Sequence, residues 1–419
     1  MSYSRVSSYN TYDSAIRNLQ TRLSTLSTLQ EHITAGKRVV RPSDDPTAAA
    51  QAERAQTRMA RVETEQRALA AQRNSMEMAE STLGSATDLL QTFREKVVAA
   101  GNGSYSATER SALLQELQSL RDQLFSYTNK TDGSGQPLFS GLNSSATPFV
   151  DASTGTQYLA TPGQKPSSEV SVSPTLDGQA AWMSVPTGNG VFTVDYASTN
   201  TGGAWVDLGQ VETPSLLTGN DYSLTFTVDP TTKATTYSVM NTTTGLPAEY
   251  PVGTPLTNIA YTSGTPIKFD GMIITPSGAP ANGDNFTITD STKTDVFSVL
   301  DKTIADIRNA GANSGTNTTA NTLTGNLTHG ITQALTQIDA GMARIESSRG
   351  YAGDLLNRVD RIDALQQTRS VQLESDRSRA EDIDMVQGLS DLATQQTAYS
   401  AALQSYAQIQ KLSLFNFIS

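Results

Sequence analysis

The sequence predicts a multi-domain α plus β protein: long antiparallel coiled-coil helices drawn from both chain ends, with an antiparallel β domain inserted between them. Three observations carry that prediction. Of the 16 prolines, 13 lie between residues 139 and 290, and the others are Pro42, Pro46 and Pro137. Proline removes a helical donor and clashes with the preceding turn, so long helices are permitted only outside that stretch. On the flanks, apolar residues recur every seven positions, the pattern that keeps one seam of a helix facing a partner. The middle instead shows short alternating runs, and it holds 3 Lys, no Arg and 12 acids, net −9 of the chain's −11. With 419 residues there is room for two or three domains.

Taken in order, Ile16, Leu19, Leu23, Leu26 and Ile33 set a 3,4 rhythm on a first helix. The remaining positions are polar and rich in Ser and Thr, which are poor helix formers, so this narrow-seamed helix is marginal alone. Asp45 is placed to cap a second helix whose first residue is Pro46, where a missing N–H is harmless. Val62, Leu69, Met76, Leu83, Leu90 and Val97 then stand seven apart, joined by Ala79, Ala86, Phe93 and Ala100. A helix over 47–100 would be about 80 Å long at roughly 1.5 Å per residue. Gly101-Asn102-Gly103 ends it, and Ser106-Ala107-Thr108-Glu109 is a capping box for the next, carrying Leu113, Leu117, Leu120, Leu124 and Tyr127.

Residues 141–290 read as the inserted β domain, with alternation at Val191–Val194, Tyr222–Val228 and Phe286–Ile288. Thr292 with Asp295 signals a helix start, followed by Val296, Leu300, Ile304 and Ile307. The pattern continues through Ile331, Leu335, Ile338, Met342 and Ile345, then Leu389, Leu392, Tyr399, Leu403 and Tyr406, with Arg349 and Gln396 as polar breaks expected to weaken the seam. The two flanks must pair across the insertion, because each seam alone would stay in water. The expected organisation is residues 1–42 with 385–419 as a terminal helical segment, 43–140 with 291–384 as a helical rod, and 141–290 as the β-rich domain.

Composition excludes several function classes. A net charge of −11 disfavours nucleic-acid binding, which needs clustered Lys and Arg. Without cysteine there are no disulfides, thiolate nucleophiles or Cys-based metal sites, and His32 and His329 stand isolated, so neither a metal nor a cofactor is expected. No apolar run approaches the roughly 18 residues of a membrane span, so no membrane insertion is expected, and MSYSRVSSYNTYDS lacks the apolar core of a cleavable signal. No G-x-S-x-G elbow, P-loop or G-x-G-x-x-G occurs. Asp44 and Asp45 are read as a charge contact to Arg38 or Arg41 and as a helix cap, not as a catalytic pair, and the expectation is a protein that is not an enzyme. The charges from Glu53 to Arg67 read as a solvated helix face with i,i+4 pairs, or as contacts to an adjacent subunit.

Both ends carry a resemblance. Ala35-Gly36-Lys37-Arg38-Val39-Val40-Arg41-Pro42-Ser43-Asp44-Asp45-Pro46-Thr47 resembles the N-terminal signature of bacterial flagellins and flagellar hook-associated proteins, and Leu412-Ser413-Leu414-Phe415-Asn416-Phe417 resembles that family's C-terminal end. The signature residues are Gly36, Lys37, Arg38, Pro42, Ser43, Asp44, Asp45 and Pro46, and their KRVV–PSDDP form is nearer the hook-filament junction branch than filament flagellin.

The resemblance implies a structural axial protein of the flagellum, exported without a cleavable signal by a type III route and located outside the cell. It further implies a homo-oligomeric ring, with hook-associated protein 1, flagellin and an export chaperone as partners. Leu19, Leu23, Leu26, Ile33, Leu403, Tyr406, Leu412, Leu414, Phe415 and Phe417 are expected to form the assembly interface, folding as neighbouring subunits cover them. Filament flagellin is the alternative. A stalked glycan-binding protein using Trp182 and Trp205 is a more distant one.

Overall fold

Apolar positions seven apart hold the helical part together. The structure, a computed structural model, describes residues 8–102, 105–143, 147–153, 155–312 and 320–418, and its described side chains exclude those of 8–12, 107, 310–312, 320–324 and 409–418. Helix α1 spans Ser8–Ala35, α2 Pro46–Ala100 and α3 Ala107–Thr128. A five-residue α4 (Gly178–Trp182) sits among the strands, and α5 (Val296–Ala312), α6 (Ala320–Glu381) and α7 (Met385–Ile418) follow. The chain forms two compact units, Met1–Ala68 with Arg361–Ser419 and Leu69–Asp360.

In the Leu69–Asp360 unit, α2 buries Leu69, Met76, Leu83, Leu90 and Val97 together with Ala79, Ala86, Phe93 and Ala100, the residues the heptad reading names. Its partner α6 runs antiparallel, a register fixed by Arg73–Asp360 at 3.0 Å, Arg349–Glu80 at 2.6 Å and Arg94–Asp339 at 2.7 Å. The seam of α6 differs from the expected one: Ala334, Ile338, Ile345, Ala352, Leu355 and Val359 are buried, whereas Ile331, Leu335 and Met342 are half-buried. Arg349, read as a break, instead pairs with Glu80 and packs over Gly84, 3.5 Å from where a Cβ would stand.

The capping box at Ser106 is present in full, with Glu109 N–H donating to Ser106 Oγ at 3.3 Å and Ser106 N–H donating to Glu109 Oε2 at 2.8 Å. Helix α3 packs on α5 through the buried Arg121, which donates to Asp301 at 3.0 Å from Nε and 3.0 Å from Nη2, and from Nη1 and Nη2 to Asp151. Phe125 and Phe297 lie against its guanidinium, so an ion cluster is built into an otherwise aromatic layer. The start of α5 is set by Asp295, whose carboxylate accepts from Ser298 N–H at 2.7 Å. Thr292 takes no part in the cap; its N–H donates to Thr187 across the neighbouring strands.

Between these helices, the antiparallel sheet runs in the order Ile259–Ala260, Thr235–Asn241, Tyr222–Val228, Asn285–Asp290, Phe192–Tyr196, with Leu246–Pro247 also paired to Thr235–Asn241. Alternate residues of these strands, including Val194, Leu224, Phe226, Val239, Phe286 and Ile288, form the core, as period-two alternation requires. Trp182 on α4 is fully buried, edge-on to Phe139 at 5.6 Å and stacked on Phe297 at 6.3 Å. An indole in that position has no face to offer a sugar, which removes the glycan-stacking role considered for it.

His329, isolated in the sequence, is buried in the structure, at 1% exposure. Its ring nitrogens lie 2.9 Å from Val206 O and 2.9 Å from Val194 O. Both carbonyls are ones the sheets leave open. Val206 is in a non-hydrogen-bonded pair with Pro276, so its carbonyl points away from that strand, and Val194 sits on the outermost strand of the large sheet. Gln333, one helical turn on, also donates to Val194 O. One turn earlier, Gly325 admits the strand backbone: a Cβ there would stand 2.6 Å from Ala204 O.

Candidate assembly site and signature loop

The unit formed by Met1–Ala68 and Arg361–Ser419 contains the predicted signature residues and most of the predicted assembly residues. Helix α1 stops because Gly36 adopts φ +68°, a left-handed conformation that carries no penalty without a Cβ. Gly36 N–H donates to Ile33 O at 3.1 Å and Lys37 N–H to His32 O at 3.0 Å, using carbonyls the helix end would leave open. The chain then lies along the junction of α6 and α7. Arg38 N–H donates to Glu381 O at 2.7 Å, Val39 N–H to the same oxygen at 3.2 Å, and Ile383 N–H to Gly36 O at 3.2 Å. Lys37 Nζ pairs with Glu381 Oε1, and Arg38 Nη2 donates to Ala380 O at 2.9 Å.

The paired aspartates are structural, and each has its own task. Asp45 Oδ1 accepts from Thr47 N–H at 3.2 Å and Ala48 N–H at 3.0 Å, capping α2 ahead of Pro46 as expected. The Ala48 amide, the Thr47 hydroxyl and the Arg38 guanidinium at 3.2 Å pull its carboxyl down to about 2. Asp44 does not make the expected ion pair with Arg38 or Arg41. Its Oδ2 accepts from the backbone N–H of Arg41 at 2.8 Å and Val40 at 3.0 Å, which holds its carboxyl below the usual range. Arg41 reaches Glu31 instead, at 2.6 Å, and His32 Nε2 stands 3.6 Å from Asp44. The Pro42-Ser43 turn is held by these bonds on either side.

The cap gives a testable expectation. Asp45→Ala should speed amide exchange at Thr47 and Ala48 while leaving the Ser106-capped helix unchanged. Because Asp45 titrates lower in the folded chain than its ordinary 3.8, its stabilising effect is complete above that value and is lost as pH falls through about 2. In hydrogen exchange, unchanged protection at Thr47 and Ala48 in the variant would show that the loop is held without the cap.

The described assembly residues sit on α1 and α7, which pack on each other. Leu19, Leu26, Ile33 and Tyr406 are half-buried there, whereas Leu23 is 50% exposed and Leu403 43% exposed. Ile16, Val386 and Leu389 on the same two helices are exposed as well. Leu412, Leu414, Phe415 and Phe417 belong to α7, but their side chains lie outside the described residues. The structure thus gathers the signature loop and the terminal helices in one unit. Sequence reasoning missed the residues that receive the loop, Ala380, Glu381 and Asp382, because nothing marks in advance a backbone acceptor 342 residues away, such as Ala380 O for Arg38. Among the described residues no three His, Asp or Glu side chains gather as a metal site, and no helix is long and apolar enough to cross a membrane.

The pattern describing the bacterial flagellin N-terminal helical region matches residues 6–144, which include the signature loop. The flagellar hook-associated protein 3 of Salmonella typhimurium is 39% identical over 155 residues, 36% of this chain and 48% of that protein. Over that part of its length the chain is similar to bacterial flagellins and hook-associated proteins. It spans about half the length of the curated relatives it matches. Two solved structures extend the likeness to the fold. The flagellar junction protein FlgL from Legionella pneumophila superposes with TM-score 0.65 at 28% identity, covering 74% of this chain and 98% of that one. FlgL of Xanthomonas campestris gives TM-score 0.66 at 28% identity, covering 78% and 99%. The fold of long paired helices with an inserted antiparallel β region is thus similar to that of these two structures.

Proposed function

We propose that this chain is a structural subunit of the flagellar axis, placed at the junction between hook and filament, and that it assembles by self-association of its helical ends. The observation that carries this reading is a pair of terminal helices that leaves Leu23, Leu389 and Leu403 in water while the signature loop fixes the base of both. An apolar face of that kind leaves the terminal helices of a monomer marginal until a neighbour covers it. The likeness to junction proteins, nearly complete over those chains, supports the junction over the filament. On this reading, residues 1–42 with 385–419 face inward, 43–140 with 291–384 form the surrounding rod, and the β domain faces outward. Copies of the chain form a ring against hook-associated protein 1 on one side and flagellin on the other. A chaperone covers the terminal helices before export, and the polypeptide acts outside the cell as a mechanical adaptor with no catalytic role.

Removal of residues 410–419 tests the reading. The truncated chain should keep a folded β region, seen as unchanged near-ultraviolet circular dichroism, and should fail to join assemblies that the full chain forms. Normal incorporation of the truncation would sink the mechanism. Long filaments growing from seeded full-length protein would move the assignment to filament flagellin.

A further inference from the structure

The charged face of α2 between Glu53 and Arg67 is only partly paired. Arg61 meets Glu65 at 2.9 Å and Glu63 meets Arg67 at 4.0 Å, but Arg54 and Arg58 make no ion pair among the described residues. The two stand one turn apart, a like-charge arrangement that disfavours an isolated helix. They line a groove of ≈ 400 Å³ whose opposite wall is α6, where Arg379 adds a third guanidinium. The one carboxylate of the groove, Asp376, is already engaged by Arg379 at 2.7 Å. Ala55, Leu373 and Ala380 lie buried at the base, so an arriving side chain loses water on one side and its charge is screened less.

We propose that this groove is an electropositive socket for carboxylates of a second copy of the chain; the proposal rests on the assembly reading and assigns part of its interface. Charge supplies the argument for that occupant. Residues 1–68 with 361–419 carry 15 Lys and Arg against 14 Asp and Glu, whereas residues 69–360 carry 15 against 27. A second copy therefore carries a unit with twelve excess carboxylates, of opposite sign to a groove that offers two unpaired arginines. Arginine suits the role because its planar fork grips a carboxylate through two donors, which a lysine cannot do.

The test uses the full-length chain, with assembly followed by sedimentation and light scattering over a series of salt concentrations. Wild type should assemble, less readily as salt rises. Arg54→Glu with Arg58→Glu should raise the critical concentration at least tenfold, and the neutral pair Arg54→Gln with Arg58→Gln should raise it less and flatten the salt dependence. Arg54→Lys with Arg58→Lys should keep the salt dependence while weakening assembly. Circular dichroism and melting of each variant monomer, unchanged from wild type, separate a lost interface from a lost fold. If the Gln pair assembles with the wild-type critical concentration and salt slope, the socket is wrong while the assembly reading stands. If wild type remains monomeric under every condition, the assembly reading fails and takes the socket with it.

Discussion

Replacing Phe93 with alanine is expected to destabilise the Leu69–Asp360 unit by about 3–5 kcal/mol, the largest effect of any single substitution considered. Phe93 is 0% exposed and stands in the seam of α2 between Ala86 and Ala100, with Leu90 and Val97 on adjacent seam positions. Each of those alanines carries only a methyl group, which cannot reach into the space a phenyl ring leaves, so the cavity would persist and add to the lost transfer free energy. Phe93→Leu should recover much of the difference. Val98, the neighbour in a run of otherwise similar residues, is 52% exposed, and Val98→Ala should change stability by no more than about 0.5 kcal/mol. Denaturant unfolding of the three variants measures this directly. Equal midpoints for Phe93→Ala and Val98→Ala would mean that the seven-residue repeat does not set the packing.

The contrast between those two positions shows what the sequence makes legible. In α2 the repeat is written in Val, Leu, Met and Phe, whose transfer from water dominates burial, so period alone identifies the inward face. In α6 the inward positions include Ala334, Gly341 and Ala352, and a reading weighted by hydrophobicity slides to Ile331, Leu335 and Met342 on the flank. Alanine and glycine at inward positions add little to a hydrophobic period, and composition does not distinguish them from an alanine chosen for helix propensity. Caps were legible at Asp45 and Ser106 because they act within three residues. The docking of Lys37 and Arg38 on residues 380–383 was not, since both the acceptors and the register are set by tertiary structure. Helix α4 was hidden for a related reason. Its five residues are too few to show a period, and only Asp177, which accepts from Gln179 N–H at 3.0 Å, marks its start.

His329 is the position where tertiary structure most fully overrides sequence, and His329→Ala should destabilise the Leu69–Asp360 unit by about 2–4 kcal/mol through an open carbonyl at Val206 and an apolar void beside Phe286 and Tyr196. A neutral imidazole has one N–H. With Gln333 already donating to Val194 O, the tautomer protonated at Nδ1 gives every carbonyl a donor, through His329 to Val206 O. Burial is the main influence on the ring and holds its pKa below 6.5, against the raising effect of the two carbonyls and Asp195. Lys302, which pairs with Asp195 at 2.9 Å, acts in the same direction as burial.

The unfolded chain therefore takes up a proton near pH 6.5 that the folded chain refuses. The stabilising contribution is complete above that value and is lost as pH falls below it. Asp306, which accepts from Tyr196 at 3.2 Å, works the other way: burial raises its carboxyl, so the folded chain binds that proton more readily and gains relative stability as pH falls towards the carboxylate range. The two groups act in separate windows, His329 first on acidification. His329→Gln, whose amide can donate to Val206 O but cannot be protonated, should retain more stability than His329→Ala at pH 7.5. It should also lose less than wild type between pH 7 and pH 5.5. Denaturation midpoints at those pH values decide the matter, and an identical pH slope in wild type and His329→Gln would show that the acid sensitivity of this unit arises elsewhere.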